Sequence, residues 1–531
     1  MGYMEGSSRY QSRIMCLDDM VAEDARVRII DRFVSTTDLK ALGFTNCAPS
    51  HRGRPPYSPD CMVKLYMFGY EKGVRSSRKL EELCMTNIEA MWLLDELAPD
   101  FKTIADFRKD NIQAFVALFG EFASFLDALG LYGKKLVAID GTKVRASSSK
   151  KKHFSKKKLA ELIDYNKKKA AEYLEALDSA DGAEKTEGMD DTGDTADTGG
   201  TGLLARAQGH VVRAEQYTEL LDELEASGED AISLTGPDAH MMRTEGFGVG
   251  MAYNIQAAVD GENHLVSAFS VHTNAADQGQ LFALAQKTID ERGVPKDPEE
   301  HTTFLSDGGY YDGDDLRKCE EAELDVVVAC PAERNHKSRG EGFQTERFAY
   351  GKDTDSYTCP KGEVLTCHSK PTTKDKKYHN AKACRDCGHK EQCVPENSNK
   401  RILVRRPNSG VLDRAQAKYA ANRELYRLRQ QIVEHVFGTT KRTMGSWYLL
   451  LRTKEKVEAE MALILTGYNL KRAHAVCGFD KIMDALDRRL VQKATMLPHA
   501  LFLACRWAIM AVMEAIMGKL VYVMLPARST A

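Results

Sequence analysis

The sequence predicts a mixed α/β protein with a helical N-terminal domain and a core interrupted by two insertions. Three observations predict it. Short apolar runs that end on a carboxylate recur, at 135–140 (Lys-Leu-Val-Ala-Ile-Asp) and 302–307 (Thr-Thr-Phe-Leu-Ser-Asp). Stretches with apolar residues at helical spacing precede and separate them. Two segments of aberrant composition, one highly charged and one rich in cysteine, break the alternation.

Residues 27–130 read as helical. Ser58 followed by Pro59 marks a helix start and Gly73 a stop. Ser76 opens a second short helix through Leu80 and Cys84, and a third runs from Asn87 through Leu94. Two short helices around a glycine turn, with Arg75, Arg78 and Lys79 outward, fit a helix-turn-helix or a plain bundle with a basic face. Ile112, Phe115, Phe119, Phe122, Leu126 and Leu129 form a core stripe that ends at Gly130. The strand at 135–140 follows. Between Lys134 and Lys169 thirteen Lys or Arg face three acids, whereas between Glu172 and Asp197 ten acids face one Lys. Such blocks do not form a packed core. We expect a basic helix, a disordered acidic linker over 189–202 and a second helix over 203–226. Strands resume at 250–260 and 264–271 as a hairpin around Gly261. Asp277 then opens a helix, 302–307 is a strand, a helix surrounds Leu316, and 325–330 is a buried strand. After the cysteines, a long helix starts near Asp413 and passes Glu434.

At 531 residues the chain has room for about three or four domains. Hydrophobic residues make up 43% and charged residues 28%, ordinary for a soluble protein. The net charge of −3 excludes a globally basic nucleic-acid binder, so DNA contact must rest on local charge. The first thirty residues hold no apolar signal region. The apolar tail over 497–525 is interrupted by Arg506, Glu514 and Lys519, which disfavours a membrane span. A cytoplasmic location is expected. Of thirteen cysteines, five fall between 359 and 393, which suits a metal site better than a disulfide framework.

The chemistry rests on three acids. Asp140 and Asp307 each end a strand just before glycine, and Glu434 lies on a helix. Carboxylates converging from separate elements suit hard divalent cations, and a pair of such ions about 3.5–4 Å apart can serve phosphoryl transfer. Taken singly, each acid is more often a solvated or capping residue. The cysteines Cys359, Cys384, Cys387 and Cys393 are the expected ligands of a structural zinc, with Cys367 spare and His368 and His389 as substitutes.

The spacing Tyr426-x2-Arg429-x4-Glu434-x6-Lys441 resembles the Tyr-Arg-Glu-Lys signature of bacterial insertion-sequence DDE transposases. Asp140-Gly-Thr142 and Asp307-Gly-Gly-Tyr310 resemble their two aspartate motifs, and Glu460 and Gly467-Tyr-Asn469 their C-terminal block. Gly53-Arg-Pro-Pro-Tyr57, Ser76-Ser-Arg78 and Thr103-Ile-Ala-Asp-Phe107 resemble their N-terminal domain. The element order, apart from its insertions, is that of a ribonuclease H-like core. The resemblance implies Asp140, Asp307 and Glu434 as catalytic ligands of Mg²⁺ (or Mn²⁺). It implies Tyr426, Arg429 and Lys441 at the DNA end, and Arg75 and Arg78 are added as DNA-binding candidates. It further implies terminal inverted repeats and target DNA as partners, at least a homodimer, and a nucleoid-associated protein. Asn274 and Asp277 also resemble a family motif, but helix capping by Asp277 is a sufficient reading. The expected domains are a flexible N-terminus (1–26), a helical DNA-binding domain (27–130), the catalytic core (131–475) and an apolar helical tail (476–531). The core is interrupted by a charged insertion (147–245) and a zinc-ribbon-like insertion (340–400). The rivals are a metal-dependent nuclease without strand transfer and a catalytically inactive DNA-binding relative.

Overall fold

The computed structural model describes residues 16–47, 55–149, 152–184, 200–227, 231–236, 238–244, 246–295, 297, 300–330, 343, 345–370, 375–395 and 398–523, without side chains at 178–184, 200–201, 346 and 494–523. Residues 189–199 of the expected acidic linker, most of the flexible N-terminus and the start of the Gly53 motif lie outside the described residues, as do the tail side chains from 494 on; residues 200–202 are helical instead.

Six helices open the chain: α1 (Arg26–Thr36), α2 (Pro59–Glu71), α3 (Ser77–Thr86), α4 (Ile88–Leu93), α5 (Phe101–Asp110) and α6 (Ile112–Ala128). Their starts follow from side chains that accept otherwise unpaired amides. Ser58 accepts from the Cys61 amide ahead of Pro59, Asn87 from Ala90, and Asp100 from Lys102 and Thr103. Gly73, at φ +76°, makes the turn between α2 and α3. A Cβ on Gly69 would collide with Leu80, so glycine lets these two helices meet. Rings fill the interior: Phe33 stands edge-on to Phe122 at 4.9 Å, and Tyr66 to Phe115 at 5.1 Å.

The main sheet is built from β1 (Leu136–Arg145) and five later strands. Before them the chain makes β2 (His153–Ser155), the helical arm α7 (Lys156–Glu184) and α8 (Gly200–Ser227), and β3 (Ala231–Ser233), which pairs with β2. Then come β4 (His240–Thr244), β5 (Gly248–Asp260), β6 (Val266–His272), α9 (Leu281–Arg292), β7 (Thr303–Ser306), α10 (Gly313–Glu321) and β8 (Asp325–Val328). The order is β4-β5-β1-β7-β8, with β6 following β4 along the outer edge of β5. β1 runs antiparallel to β5 and parallel to β7, and β7 parallel to β8. Since β4 belongs to this sheet, the charged insertion ends before residue 240, earlier than the expected 245.

Alternation along β1 sends Val137 and Ile139 toward α9 and α10, and Ala138 toward the N-terminal helices. The sheet is therefore covered on both faces. The cysteine segment forms a sheet of its own from β9 (Ala349–Gly351), β10 (Ser356–Thr358), β11 (Val364–Cys367), β12 (Lys376–His379) and β13 (Leu403–Arg405), with short helices α11 (Ala381–Arg385) and α12 (Lys390–Cys393). The expected long helix is two, α13 (Ser409–Ala421) and α14 (Arg423–Arg442), broken at Asn422. The last, α15 (Lys454–Val523), kinks at Gly478, where φ is +78°. Its first half threads the N-terminal bundle, packing on α1, α2 and α6. No helix among the described residues is long and apolar enough to cross a membrane.

Candidate active site

Register brings the two aspartates together. Ile139 lies opposite Ser306 in the parallel pair β1–β7, so the next residues, Asp140 and Asp307, fall side by side on strands spaced about 4.8 Å where that pairing ends. Asp307 leaves β7 there, whereas β1 continues against β5 to Arg145, so Asp140 lies within its strand and not at the strand end expected of it. Each carboxylate is tied locally. Asp140 Oδ1 accepts from the Gly141 amide at 2.8 Å, and Asp307 Oδ1 from the Gly309 amide at 2.7 Å. Burial pushes the Asp140 carboxyl up and Asp307 adds to this, while Arg429 opposes it.

Helix α14 packs on β1, β5 and β7 and delivers Arg429, whose Nη1 donates to Asp140 Oδ2 at 3.0 Å. The Tyr426 ring lies 5.8 Å beneath the Arg429 guanidinium and edge-on to Tyr419 at 5.0 Å. Glu434 is five residues beyond Arg429, about 140° around the helix. It is exposed, and among the described residues its hydrogen-bond partner is Gln430, at 2.6 Å. The structure thus joins Asp140, Asp307 and Arg429 and leaves Glu434 on the outer flank of α14. Lys441 is buried, its ammonium 5.7 Å over the Trp447 ring.

A third aspartate belongs to this edge. Asp277 does not cap a helix: α9 begins only at Leu281, with Gln280 at its cap and no side-chain cap bond. Instead Asp277 Oδ1 accepts from Asn254 Nδ2 at 2.7 Å and Gln256 Nε2 at 2.8 Å, and Oδ2 pairs with Lys143 Nζ at 3.2 Å. Both amides are fully buried. The buried Tyr310 hydroxyl donates to Gln256 Oε1. Burial, then Asp140, Asp277 and Asp307, raise this phenol well above its ordinary value, against Arg429. Sequence reasoning set Asp277 aside. The available signal was its place in His272-Thr-Asn274-Ala-Ala-Asp277, together with two polar residues two apart on the otherwise apolar strand β5.

Arg75 requires a correction. It is not outward but 6% exposed, and it serves as an internal staple. Nη1 donates to Glu460 Oε1 at 3.0 Å and to the Tyr448 carbonyl at 2.8 Å, and Nη2 to the Gly445 carbonyl at 2.6 Å. A guanidinium buried and paired in this way is not presented to a phosphate on the surface. Arg78 is exposed, 5.1 Å over the Phe101 ring.

In the cysteine segment, Cys359, Cys384, Cys387 and Cys393 line one cavity of about 40 Å³, which Cys367 does not reach. Burial raises the Cys393 thiol, and Cys384, Cys359 and Cys387 add to this against Arg401. Cys359 Sγ accepts from the Lys361 amide at 3.4 Å, in a turn closed by Gly362 at φ +87°. His368 stacks on His379 at 3.8 Å, and His389 packs on Phe343. Among the described residues no three His, Cys, Asp or Glu side chains form a group that could hold a metal ion, here or at the aspartates.

Two stretches of the chain match family models. Residues 15–110 match the Transposase domain (DUF772), and residues 358–474 match the Transposase DDE domain. These two matches, which together cover less than half of the chain, are to transposase domain families and support an insertion-sequence DDE transposase. The second match includes α14 with Tyr426, Arg429, Glu434 and Lys441, whereas Asp140, Asp277 and Asp307 lie outside both. No curated protein and no solved structure matches the chain.

Proposed function

We propose that this transposase cuts the phosphodiester at the ends of its own element and joins the freed 3′-hydroxyl to target DNA. The observation that carries the reading is the in-register pair Asp140 and Asp307 where the parallel pairing of β1 and β7 ends, with Arg429 of the matched DDE segment seated on Asp140. The strand order β6-β5-β1-β7-β8, with two antiparallel and two parallel pairings, supports a ribonuclease H-like core over 131–475.

The donor set of hard oxygens suits Mg²⁺ or Mn²⁺. Such an ion would lower the barrier by polarising the scissile phosphate and the attacking oxygen. Asp140 and Asp307 would hold it, with Glu434 as the third acid of the triad. Arg429 neutralises Asp140 in the free protein and would turn to a DNA phosphate when that charge is otherwise compensated. Tyr426 supports the Arg429 plane from below. Helices 27–130 would bind the terminal repeats, with Arg78 on the outer face of α3. Pairing two ends requires at least a dimer, and work on DNA places the protein in the cytoplasm at the nucleoid. Four thiols around one closed cavity, with an amide aimed at one sulfur, suit a structural zinc held by Cys359, Cys384, Cys387 and Cys393 in a ribbon-like insertion.

The test is cleavage and joining of the element's terminal DNA with Mg²⁺, comparing the wild type with Glu434→Gln. Loss of both steps with DNA binding retained supports the reading. Binding without cleavage in either protein refutes it in favour of an inactive DNA-binding relative, and cleavage without joining in favour of a nuclease.

A further inference from the structure

The buried polar side chains of the main sheet converge on one acid that the proposed triad does not use. Asn254 and Gln256 stand two residues apart on β5, and both are fully buried. Burying an amide costs free energy unless it is hydrogen-bonded. Here both amides meet that need at the same atom, Asp277 Oδ1. Gln256 also bonds Asn254 Oδ1 at 3.1 Å and takes the Tyr310 proton on its oxygen, so its orientation is determined from both ends. A fully connected network of this kind fixes a side chain more firmly than a lone ion pair.

The backbone nearby is cut back to receive that carboxylate. A Cβ on Gly141, directly after Asp140, would meet Asp277 Oδ1 at 2.8 Å. A Cβ on Gly309 would meet Asp307 Oδ1 at 2.8 Å and Asp277 Oδ2 at 3.3 Å. Oxygens of Asp277 and Asp307 therefore both lie within 3.3 Å of one point beside Gly309. Two glycines, Gly141 one residue after Asp140 and Gly309 two after Asp307, make the room. Two cations balance the acids in the free protein: Arg429 on Asp140 and Lys143 on Asp277. Glu434 faces away from this set and bonds Gln430.

We propose that Asp277 is a metal-binding residue of this site, taking the divalent ion beside Asp307, and that Lys143 holds its place until the ion arrives. The proposal rests on the reading of Asp140 and Asp307 as the metal-binding pair. Asp277 Oδ1 stays on the two amides while Oδ2, held among the described residues by the flexible Lys143 side chain, is the atom that exchanges its partner. Lys143 is then a competitor for the ion, not a catalytic residue.

The test uses full-length protein without DNA. Fe²⁺ with ascorbate and peroxide cuts a backbone next to bound metal. Wild type should be cut near 140, 277 and 307. Cuts near 140 and 307 without one near 277 would overturn the proposal. Mn²⁺ titration should show affinity falling at least tenfold in Asp277→Asn, whose carbonyl can still accept from Asn254 and Gln256. In Lys143→Met it should rise severalfold, an outcome that a merely structural Lys143–Asp277 pair would not produce. Unchanged Mn²⁺ affinity in both variants, with loss in Asp140→Asn, would sink the assignment of Asp277 and leave the underlying reading intact. Unchanged affinity in Asp140→Asn and Asp307→Asn as well would sink that reading itself.

Discussion

The Arg75–Glu460 pair joins segments 385 residues apart and can be tested directly. Glu460 is fully buried, and beyond Arg75 it accepts from the Leu450 amide at 3.0 Å and the Leu451 amide at 2.9 Å. Arg75→Ala removes three charge-assisted bonds, strands the carbonyls of Gly445 and Tyr448, and leaves a buried carboxylate with amides alone. Counting each bond at about 1.5–3 kcal/mol would overstate the loss, because lost bonds in one network are not additive. Breaking a buried pair from one side costs about 3–5 kcal/mol, and that is the expected figure. Glu460→Gln should cost a similar amount, because Arg75 then loses its counter-charge. Arg75→Met combined with Glu460→Gln should cost clearly less than the two single changes summed. Urea unfolding followed by fluorescence reads this locally, since Trp447 lies between the two carbonyls that Arg75 holds. The staple also reaches the site's own strand: the Leu449 amide donates to the Arg145 carbonyl at the end of β1, at 2.8 Å. A loss under about 1 kcal/mol for Arg75→Ala, or strict additivity in the double variant, would refute the reasoning.

Three further outcomes follow from individual contacts. Gly141→Ala should cost about 1–3 kcal/mol from overpacking against Gln256 and Asp277 and lower DNA cleavage at least about tenfold, read by denaturation and by a cleavage assay; unaltered cleavage would show that the Asp277 network is remote from the chemistry. His264 is pushed below its ordinary value by burial and by Arg472, and its buried Nδ1 has no hydrogen-bond partner among the described residues. A depressed imidazole means that the unfolded chain binds the extra proton, so stability is full above about pH 6.5 and falls as the pH drops below it. His264→Asn, which tolerates the φ of +55° there, should flatten that fall in melts taken between about pH 7 and 5. Cys384→Ser should release zinc from the purified protein and Cys367→Ser should not, as measured by metal analysis; retention in the first or loss in the second would reassign the ligands.

What could be read in advance depended on how local the cause was. The strands carrying Asp140 and Asp307 were legible because their apolar runs are written in consecutive residues. The end of β7 before Asp307 was read correctly, whereas β1 runs past Asp140 to Arg145, because its continuation is fixed by pairing with β5. Spacing brought Cys359, Cys384, Cys387 and Cys393 together as candidates, and these four line one cavity. The five-stranded sheet around them was not, since its strands are three or four residues long and carry no clear alternation. Arg75 was misread because exposure was inferred from neighbouring Arg78 and Lys79, whereas its partner arrives on α15. Asp277 was misread for the same reason: a carboxylate four residues ahead of a helix reads as a cap, and its actual partners lie on β5. Both errors concern charges whose role is settled across the fold, where a single sequence carries only half of each pair. Glu434 shows the converse. The spacing of Tyr426, Arg429, Glu434 and Lys441 along one helix is written in the sequence, yet spacing alone does not say which face meets the sheet. Ile432, Val433 and Val436 decide that, and they turn Arg429 inward and Glu434 outward. If Glu434 closes the triad, α14 must rotate or shift when DNA binds, and the Arg429–Asp140 bond is what that motion would break.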